Sequence, residues 1–551
     1  MGVAMPTKSV STAALIVAVA LFAALFCNAA FFSEAWGIYR GSVTGLIFVA
    51  SLLVFITALF VLVLSALCHR RSTKPVLIVF LLLGSVLAYF GNRYGTIFDY
   101  RMIANTFETN VAEARDLLSF RLLLYVVLLG VVPSVLIYRV HLSQPHWWDE
   151  TLARLKLVGV AVAALALLQI GFGAHYAAMM RDHSTLLARV TPTYALYSTA
   201  KLAVKSAPAA VVRNHVVVGP DAKTPPTDPE RELVVMVVGE TARADHWSLN
   251  GYGPKTNPRL EREDVVNFPN FWSCGTSTSV SVPCMFSRMG RASFDSGLAK
   301  TEDNALDVLL RAGVSVLWRD NNSDSKGVAD RVAYEDYRSP KTNPVCDQGE
   351  CRDEGMLHGL QAYIDAQKGD VLIVLHQMGN HGPAYYKRYP EAFEHFRPVC
   401  RTNDLGSCTS DEINNAYDNA IRYTDHVLSQ VIELLKANDD NFETSMFYVS
   451  DHGESLGEYG VYLHGLPYAI APDAQKHVPA AFWFGKHKKH DLLLDDIEQR
   501  RQKRWSHDNV FATLLGLFEI KSDAYNADGD IFQHPPEETA DDHPHPAGAK
   551  G

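Results

Sequence analysis

ELVVMVVGETARADH, residues 232–246, opens with an unbroken apolar run and stops abruptly at Gly239 and Glu240. A run with no polar face is how a strand reads when a parallel sheet is covered on both sides. VSVLWRD (314–320), DVLIVLHQMG (370–379) and SMFYVSDHGE (445–454) repeat the pattern, and helical periodicity fills 305–312 and 412–437 between them. This alternation predicts an α/β domain over residues 232–522, with a mostly parallel sheet and helices on both faces. Ligands of such sheets bind beyond the carboxyl ends of the strands. The residues that end each run are therefore the ones to read.

Those ends are rich in metal-binding chemistry. The first offers Glu240, Thr241 and Asp245, the third His376 and His381, and the fourth Asp451, His452 and Glu454; His464 follows in GVYLHG. Carboxylate with imidazole suits zinc or manganese. A single histidine is more often a hydrogen-bonded structural residue, but this set at one sheet edge is a candidate metal centre. A nucleophile is offered by CGTSTSVSVPCMFS, residues 274–287, with hydroxyls at Thr276, Ser277, Thr278, Ser279 and Ser281 where a strand should pass into a helix. Free N–H groups at a helix amino terminus suit phosphate, and a metal-bound hydroxyl loses its proton readily. A plain Ser/Thr helix cap is the alternative.

Upstream the composition changes. Apolar segments lie at 11–32, 44–68, 75–90, 120–138 and 157–176. Four approach or exceed the roughly 20 residues that cross a hydrocarbon core, and the third is short. The first resembles a secretory leader, but the apolar run continues into Phe31 and Phe32, so a retained helix is expected. Arg70, Arg71 and Lys74 follow the second segment, and Arg139, Arg154 and Lys156 follow the fourth, which puts those loops in the cytoplasm. Five spans then place everything after Tyr176 outside the cytoplasm. A loop at 91–119 would share that side, and FETNVAEARD (107–116) within it reads equally as a solvated loop or as a short surface helix offering Asn105, Thr106, Glu108, Thr109 and Asn110 to a headgroup.

Residues 177–231 read as a linker, with a surface helix over 193–205 and a stiff connector containing Pro225, Pro226 and Pro229. Six cysteines lie beyond the spans as close pairs, Cys274/Cys284, Cys346/Cys351 and Cys400/Cys408. They allow fifteen connectivities; neighbour pairing is the simplest, and the spacings are not those of a zinc ribbon. Disulfides agree with an oxidising compartment. Residues 523–551, rich in Asp, Pro and His, read as a disordered tail. Fifty Lys and Arg against 60 Asp and Glu give a net charge of −10, a balance that disfavours nucleic acid as a partner.

GETARADHWSLNGYG, SCGTSTSVSVPCMFSRM, LWRDNNSDSKGV, HQMGNHGPAYYKRYP, SDHGESLGE and GVYLHG occur in that order behind the apolar half. Together they resemble the membrane-bound phosphoethanolamine transferases of Gram-negative bacteria, the family that includes lipid A modifiers and mobile colistin-resistance enzymes. The resemblance covers all but the extreme tail. It implies a five-helix transmembrane domain (1–176) and an alkaline-phosphatase-like (sulfatase-like) catalytic domain, in a monomeric multi-pass protein of the inner membrane whose catalytic domain lies in the periplasm. It implies zinc-dependent ping-pong transfer from phosphatidylethanolamine to a lipid A phosphate, and polymyxin resistance as the outcome. Thr278 would be the nucleophile, and Glu240, Thr278, Asp451 and His452 would hold one tight zinc. His381 and His464 would hold the phosphate or a second zinc. Lys326 and Asn322 would meet substrate, and the loop residues Asn105, Thr106, Glu108 and Thr109 become headgroup contacts. Two alternatives are a phosphoglycerol transferase or sulfatase, the latter lacking its C/S-x-P-x-R motif here, and a non-catalytic sensor. One departure is the short loop between Cys346 and Cys351.

Overall fold

Apolar residues alternate across the strand that follows the linker: Val234, Met236 and Val238 join one buried cluster and Leu233, Val235 and Val237 the other. Both faces of the sheet are thus covered, which is why the run carries no polar side. The computed structural model describes residues 9–109, 111–143, 146–206, 215–224, 230–347, 349–488 and 497–532. Its main sheet has strands β1 (Glu232–Gly239), β2 (Val265–Trp272), β3 (Ser315–Asp320), β4 (Ala333–Asp336), β5 (Val371–His376), β6 (Glu443–Ser450), β7 (His477–Phe484) and β8 (Trp505–Ser506). They lie in the order β8-β2-β7-β6-β1-β5-β3-β4. Only β7 runs against its neighbours, β2 and β6. The sheet is therefore mostly parallel, and β1, β5 and β6 sit side by side at its centre.

The sequence pattern singled out four of these strands. β2 and β7 escaped it because each carries a proline, Pro269 and Pro479, which normally demotes a strand. The two strands pair with each other, and their register shifts between Val478 and Ala480, where Pro479 lies. Residues 523–532 correct the disordered-tail expectation. Ile531 and Phe532 are buried, and Phe532 packs against Phe268, Phe482 and Phe484. The rest of that tail, and the connector prolines Pro225, Pro226 and Pro229, lie outside the described residues.

Among the described residues, the amino-terminal half has four helices long and apolar enough to cross a membrane, or five if a bent pair counts as one span. That pair, Thr12–Phe26 and Ala29–Tyr39, is bent by 61° where one continuous segment was expected. The break has a cause: the Asn28 amide donates to the Ala23 and Thr191 carbonyls and accepts from the Thr191 N–H, so the chain turns there without an unpaired polar group. The segment that looked short becomes a 22-residue helix, Thr73–Tyr94, stopped by Gly95 at φ 69°. In the next, Phe120–Arg139, a π turn over Val126–Val131 precedes Pro133. The last runs over Trp147–Asp182, past the boundary expected at residue 176.

The loop expected from residue 91 is largely helical, with Tyr100–Glu108 and Val111–Asp116. It joins the two halves. Asp116 forms ion pairs of 2.5 Å with both Lys387 and Arg388, and Arg388 also meets Glu350 at 2.6 Å. Arg93 meets Asp404 at 2.9 Å, and the Tyr94 hydroxyl donates to the Asn403 carbonyl. Gly95 lies against Gly460 and Val461. The linker helix, Thr193–Ser206, buries Ala195 beside Leu87 and Phe98.

One buried histidine ties the hydroxyl-rich loop to the sheet. His507 Nδ1 accepts from the Cys274 N–H, and Nε2 donates to the Ser450 carbonyl at the end of β6. Burial holds this imidazole at a pKa of about 3, so the fold keeps it neutral. Folding stability from His507 is complete above its unfolded pKa of roughly 6.5 and is lost as pH falls toward 3. Thermal unfolding of the purified chain should therefore weaken between pH 6.5 and 4, and less steeply in His507→Gln; parallel pH profiles would contradict this. Disulfides join Cys274–Cys284, Cys346–Cys351 and Cys400–Cys408, while Cys27 and Cys68 are buried thiols. Thiol titration under non-reducing denaturation should find only those two, and six or more would refute the pairing.

Candidate metal centre

β1 and β6 are parallel neighbours in register from Glu232 with Glu443 to Gly239 with Ser450. The residue after each strand is a carboxylate, Glu240 and Asp451, so their adjacency follows from strand pairing. His452 comes next. Among the described residues, one oxygen or nitrogen from each of Glu240, Asp451 and His452 lies within 4.8 Å of the others, and all three side chains are buried. The other such group, Cys274 and Cys284 with Asp508, has its thiols in a disulfide.

The helix Thr278–Phe286 begins beside this trio. Thr278 Oγ1 donates to Glu240 Oε2 at 3.1 Å and lies 3.4 Å from His452 Nε2. Thr276 donates to the Leu466 carbonyl, Ser277 pairs with Ser279, and Ser281 Oγ is buried without a hydrogen-bond partner. The loop is thus resolved to one hydroxyl at the carboxylates, a choice composition alone left open.

The donors fit a tetrahedral cation. His452 Nε2 is 3.3 Å from both Glu240 Oε1 and Asp451 Oδ2. Tetrahedral bonds of roughly 2.0–2.1 Å have edges of about 3.3–3.4 Å, close to these separations. His452 Nδ1 meets the Gly453 carbonyl at 2.9 Å, which leaves Nε2 with its lone pair toward the carboxylates. Asp451 Oδ1 accepts from the Thr241 and His452 amides, while buried Oδ2 has no hydrogen-bond partner. Such an oxygen is costly unless something binds it. Burial and the neighbouring Glu240 charge push the Asp451 pKa up. Burial acts the same way on Glu240, but His452 and His381 outweigh it and pull its pKa down.

A second layer surrounds the trio. The His464 ring lies 4.3 Å from the His452 ring, tilted by 44°, and its Nδ1 meets Glu454 Oε2 at 2.7 Å; Glu454 Oε1 accepts from the Tyr385 hydroxyl. Burial lowers the His464 pKa to about 3 and raises that of Glu454 to about 8. The His381 ring is 5.5 Å from that of His464, and its Nδ1 is buried without a partner. His376 stands apart, bonded to Asp320 at 2.9 Å in the sheet interior.

The residues expected to meet substrate have these contacts within the chain. Asn322 is buried and donates to Glu240 Oε2 at 2.7 Å and to the Gln377 carbonyl, so it orients a carboxylate of the trio. Lys326 Nζ donates to Ser323 in its own loop. Thr106 and Thr109 give their protons to Met102 and Asn105 of their own helix, Glu108 is exposed, and Asn110 lies outside the described residues. The helix Val111–Asp116 carries two buried carboxylates, Glu113 and Asp116, and the charge of Glu113 acts on His464. His507 and Asp116 were also unread, because their partners are distant in sequence.

The family model described as Phosphoethanolamine transferase EptA/EptB matches residues 56–207, and the Sulfatase model matches 232–520. Phosphatidylethanolamine transferase Mcr-1 of Escherichia coli is 43% identical over 94% of this chain and 96% of its own length. Phosphoethanolamine transferase EptA of Salmonella typhimurium is 41% identical over 83% of this chain and 84% of its own. The structure of the integral membrane lipooligosaccharide phosphoethanolamine transferase A from Neisseria meningitidis superposes with a TM-score of 0.92 at 34% identity, over 96% of this chain and all of that one. A bent, apolar amino-terminal half, a sulfatase-like sheet and these relatives across nearly the whole length place the chain in the family of membrane-bound phosphoethanolamine transferases.

Proposed function

We propose that the chain moves phosphoethanolamine from phosphatidylethanolamine to a phosphate of lipid A, with Thr278 carrying the group between them. The observation that carries this reading is the isolation of one hydroxyl, Thr278 Oγ1, at the Glu240–Asp451–His452 trio. Glu240, Thr278, Asp451 and His452 would hold zinc, which when bound would supply Lewis-acid charge to lower the hydroxyl's pKa and offset the charge of a phosphodiester. Five membrane spans, an inner-membrane setting and a periplasmic catalytic domain complete the reading. The disulfides and the basic residues Arg70, Arg71, Lys74 and Arg139, at the end of the bundle away from the sheet, support it.

Glu240 orients Thr278 Oγ1 through their 3.1 Å hydrogen bond, and Asn322 holds Glu240 in turn. Oγ1 gives its proton to Glu240 Oε2 and attacks phosphorus, its bond to phosphorus forms, and the bond to the diacylglycerol oxygen breaks. His381 gives that oxygen a proton, and diacylglycerol leaves. His464, kept neutral and fixed by Glu454, holds a phosphate oxygen. A lipid A phosphate, its proton passing to His381, then attacks the threonine-bound phosphorus; the bond from Thr278 Oγ1 to phosphorus breaks, and Glu240 returns the proton to Oγ1. The Met102 side chain reaches Gly465 beside His464, so the membrane-derived helix forms part of the wall. Lipids held by the membrane half arrive at high effective concentration. The added ethanolamine puts a cation on an anionic lipid and weakens binding of cationic peptides such as colistin.

Mass spectrometry of lipid A from cells making the wild type should show a phosphoethanolamine increment that Thr278→Ala lowers by about a thousandfold or more. Full activity in Thr278→Ala would overturn the nucleophile, and an increment confined to Kdo or core sugars would overturn the acceptor. Metal analysis should find zinc on the purified chain, with affinity weakened at least about a hundredfold in Asp451→Ala and His452→Ala. Unchanged zinc content in those variants would refute the centre.

A further inference from the structure

The helix that meets the catalytic half at Tyr94 starts at Thr73, 21 residues earlier and so about 32 Å away. A cavity of about 670 Å³ lies at that remote end, lined by Arg70, Lys74, Tyr138, Arg139, His141 and Glu150 among others. Its basic groups come from two separate turns of the chain, before the helix Thr73–Tyr94 and at the end of Phe120–Arg139. They are not neutralised locally. Glu150, the one carboxylate among the lining residues, is taken by Arg154 at 2.7 Å. Arg70 and Arg139 have no ion pair among the described residues, and Lys74 Nζ meets only the Tyr138 carbonyl and ring.

The wall is also braced. Arg154 donates to the Cys68 carbonyl, just ahead of Arg70. Val10 N–H donates to the His141 carbonyl and the Ser143 N–H to the Val10 carbonyl, so the segment carrying His141 is tied to the first helix. A braced, roomy recess with three uncompensated cations at a membrane surface is built for an anion that also has apolar chains to lay along the helices. Basic pockets between membrane helices take phosphorylated lipid headgroups for this reason. Exposed apolar side chains at Val135 and Leu136, one turn from Arg139, offer a surface for those chains.

We infer that this cavity binds the phosphodiester headgroup of an anionic phospholipid, at a site separate from the metal centre. Arg70 and Arg139 would grip the phosphate and Lys74 would add charge. Full-length protein in detergent would be titrated with phosphatidylglycerol and followed by native mass spectrometry, with phosphatidylcholine of the same chains as the zwitterionic control. Inorganic phosphate would be titrated in parallel by thermal shift. Retained phosphatidylglycerol should weaken roughly fivefold for each charge removed, so about twenty-five-fold in Arg70→Gln with Arg139→Gln. Arg70→Lys with Arg139→Lys should keep most of the binding, which separates lost charge from lost fold. Equal affinity for the two lipids, or unchanged affinity in the Gln variant, would overturn the inference. Protection by inorganic phosphate alone, lost in the Gln variant, would assign the cavity to a soluble anion and overturn the lipid.

Discussion

Taking carboxylates out of water is the constraint around which the catalytic half is arranged. Glu240, Asp451 and Glu454 are all buried in one small volume. Left unpaired, buried charges of this kind are strongly destabilising. The protein meets the cost in different ways at each. Glu454 shares a hydrogen with His464 and accepts another from Tyr385. Asp451 takes two backbone amides on one oxygen and leaves the other facing His452. Glu240 accepts from Thr241, Thr278 and Asn322. What remains uncompensated is a cluster of negative charge whose natural complement is a small dication. The parallel pairing of β1 with β6 sets the spacing of that cluster, and the Cys274–Cys284 bridge with His507 sets where the hydroxyl stands against it.

Bringing lipid substrates to this edge is a second problem, and the contacts between the halves address it. The helices Tyr100–Glu108 and Val111–Asp116 leave the membrane half and lie against the catalytic sheet. Asp116, Arg388, Lys387 and Glu350 make a shared, largely buried ion cluster there. Such a cluster is poor evidence of added stability, but removing any one member strands its partners. It therefore favours one docked arrangement over many loosely attached ones. Glu113, one turn before Asp116, is drawn by the same docking toward His464.

The parts of this molecule legible in its sequence were those where a local pattern and a structural requirement coincide. β1, β5 and β6 are buried on both faces, so their composition announces them, and residues that end β1 and β6 form the candidate metal centre. Thr278 stood out by motif, while its separation from Thr276 and Ser277 depends on where the Leu466 carbonyl lies, which no local pattern reveals. Pro269 and Pro479 hid two strands that tolerate prolines by pairing with each other. The bend at Asn28 was invisible because its partner, Thr191, is over 160 residues on. Residues 523–532 looked too polar to pack, yet Ile531 and Phe532 suffice, with Phe268 and Phe482 ready to receive them.

The helix Thr73–Tyr94 crosses the membrane half and ends under the segment that carries His464, with Gly95 seated on Gly460 and Val461. A helix does not stretch, so it acts as a gauge block between the bilayer and the reacting edge of the sheet. The enzyme then selects partly by altitude: a phosphate is in range when its lipid holds it at that height above the hydrocarbon. On the proposed reaction, two chemically different lipids, donor and acceptor, would share one nucleophile in turn because both would present phosphorus at the same level, and a water-soluble phosphodiester has no such level to share.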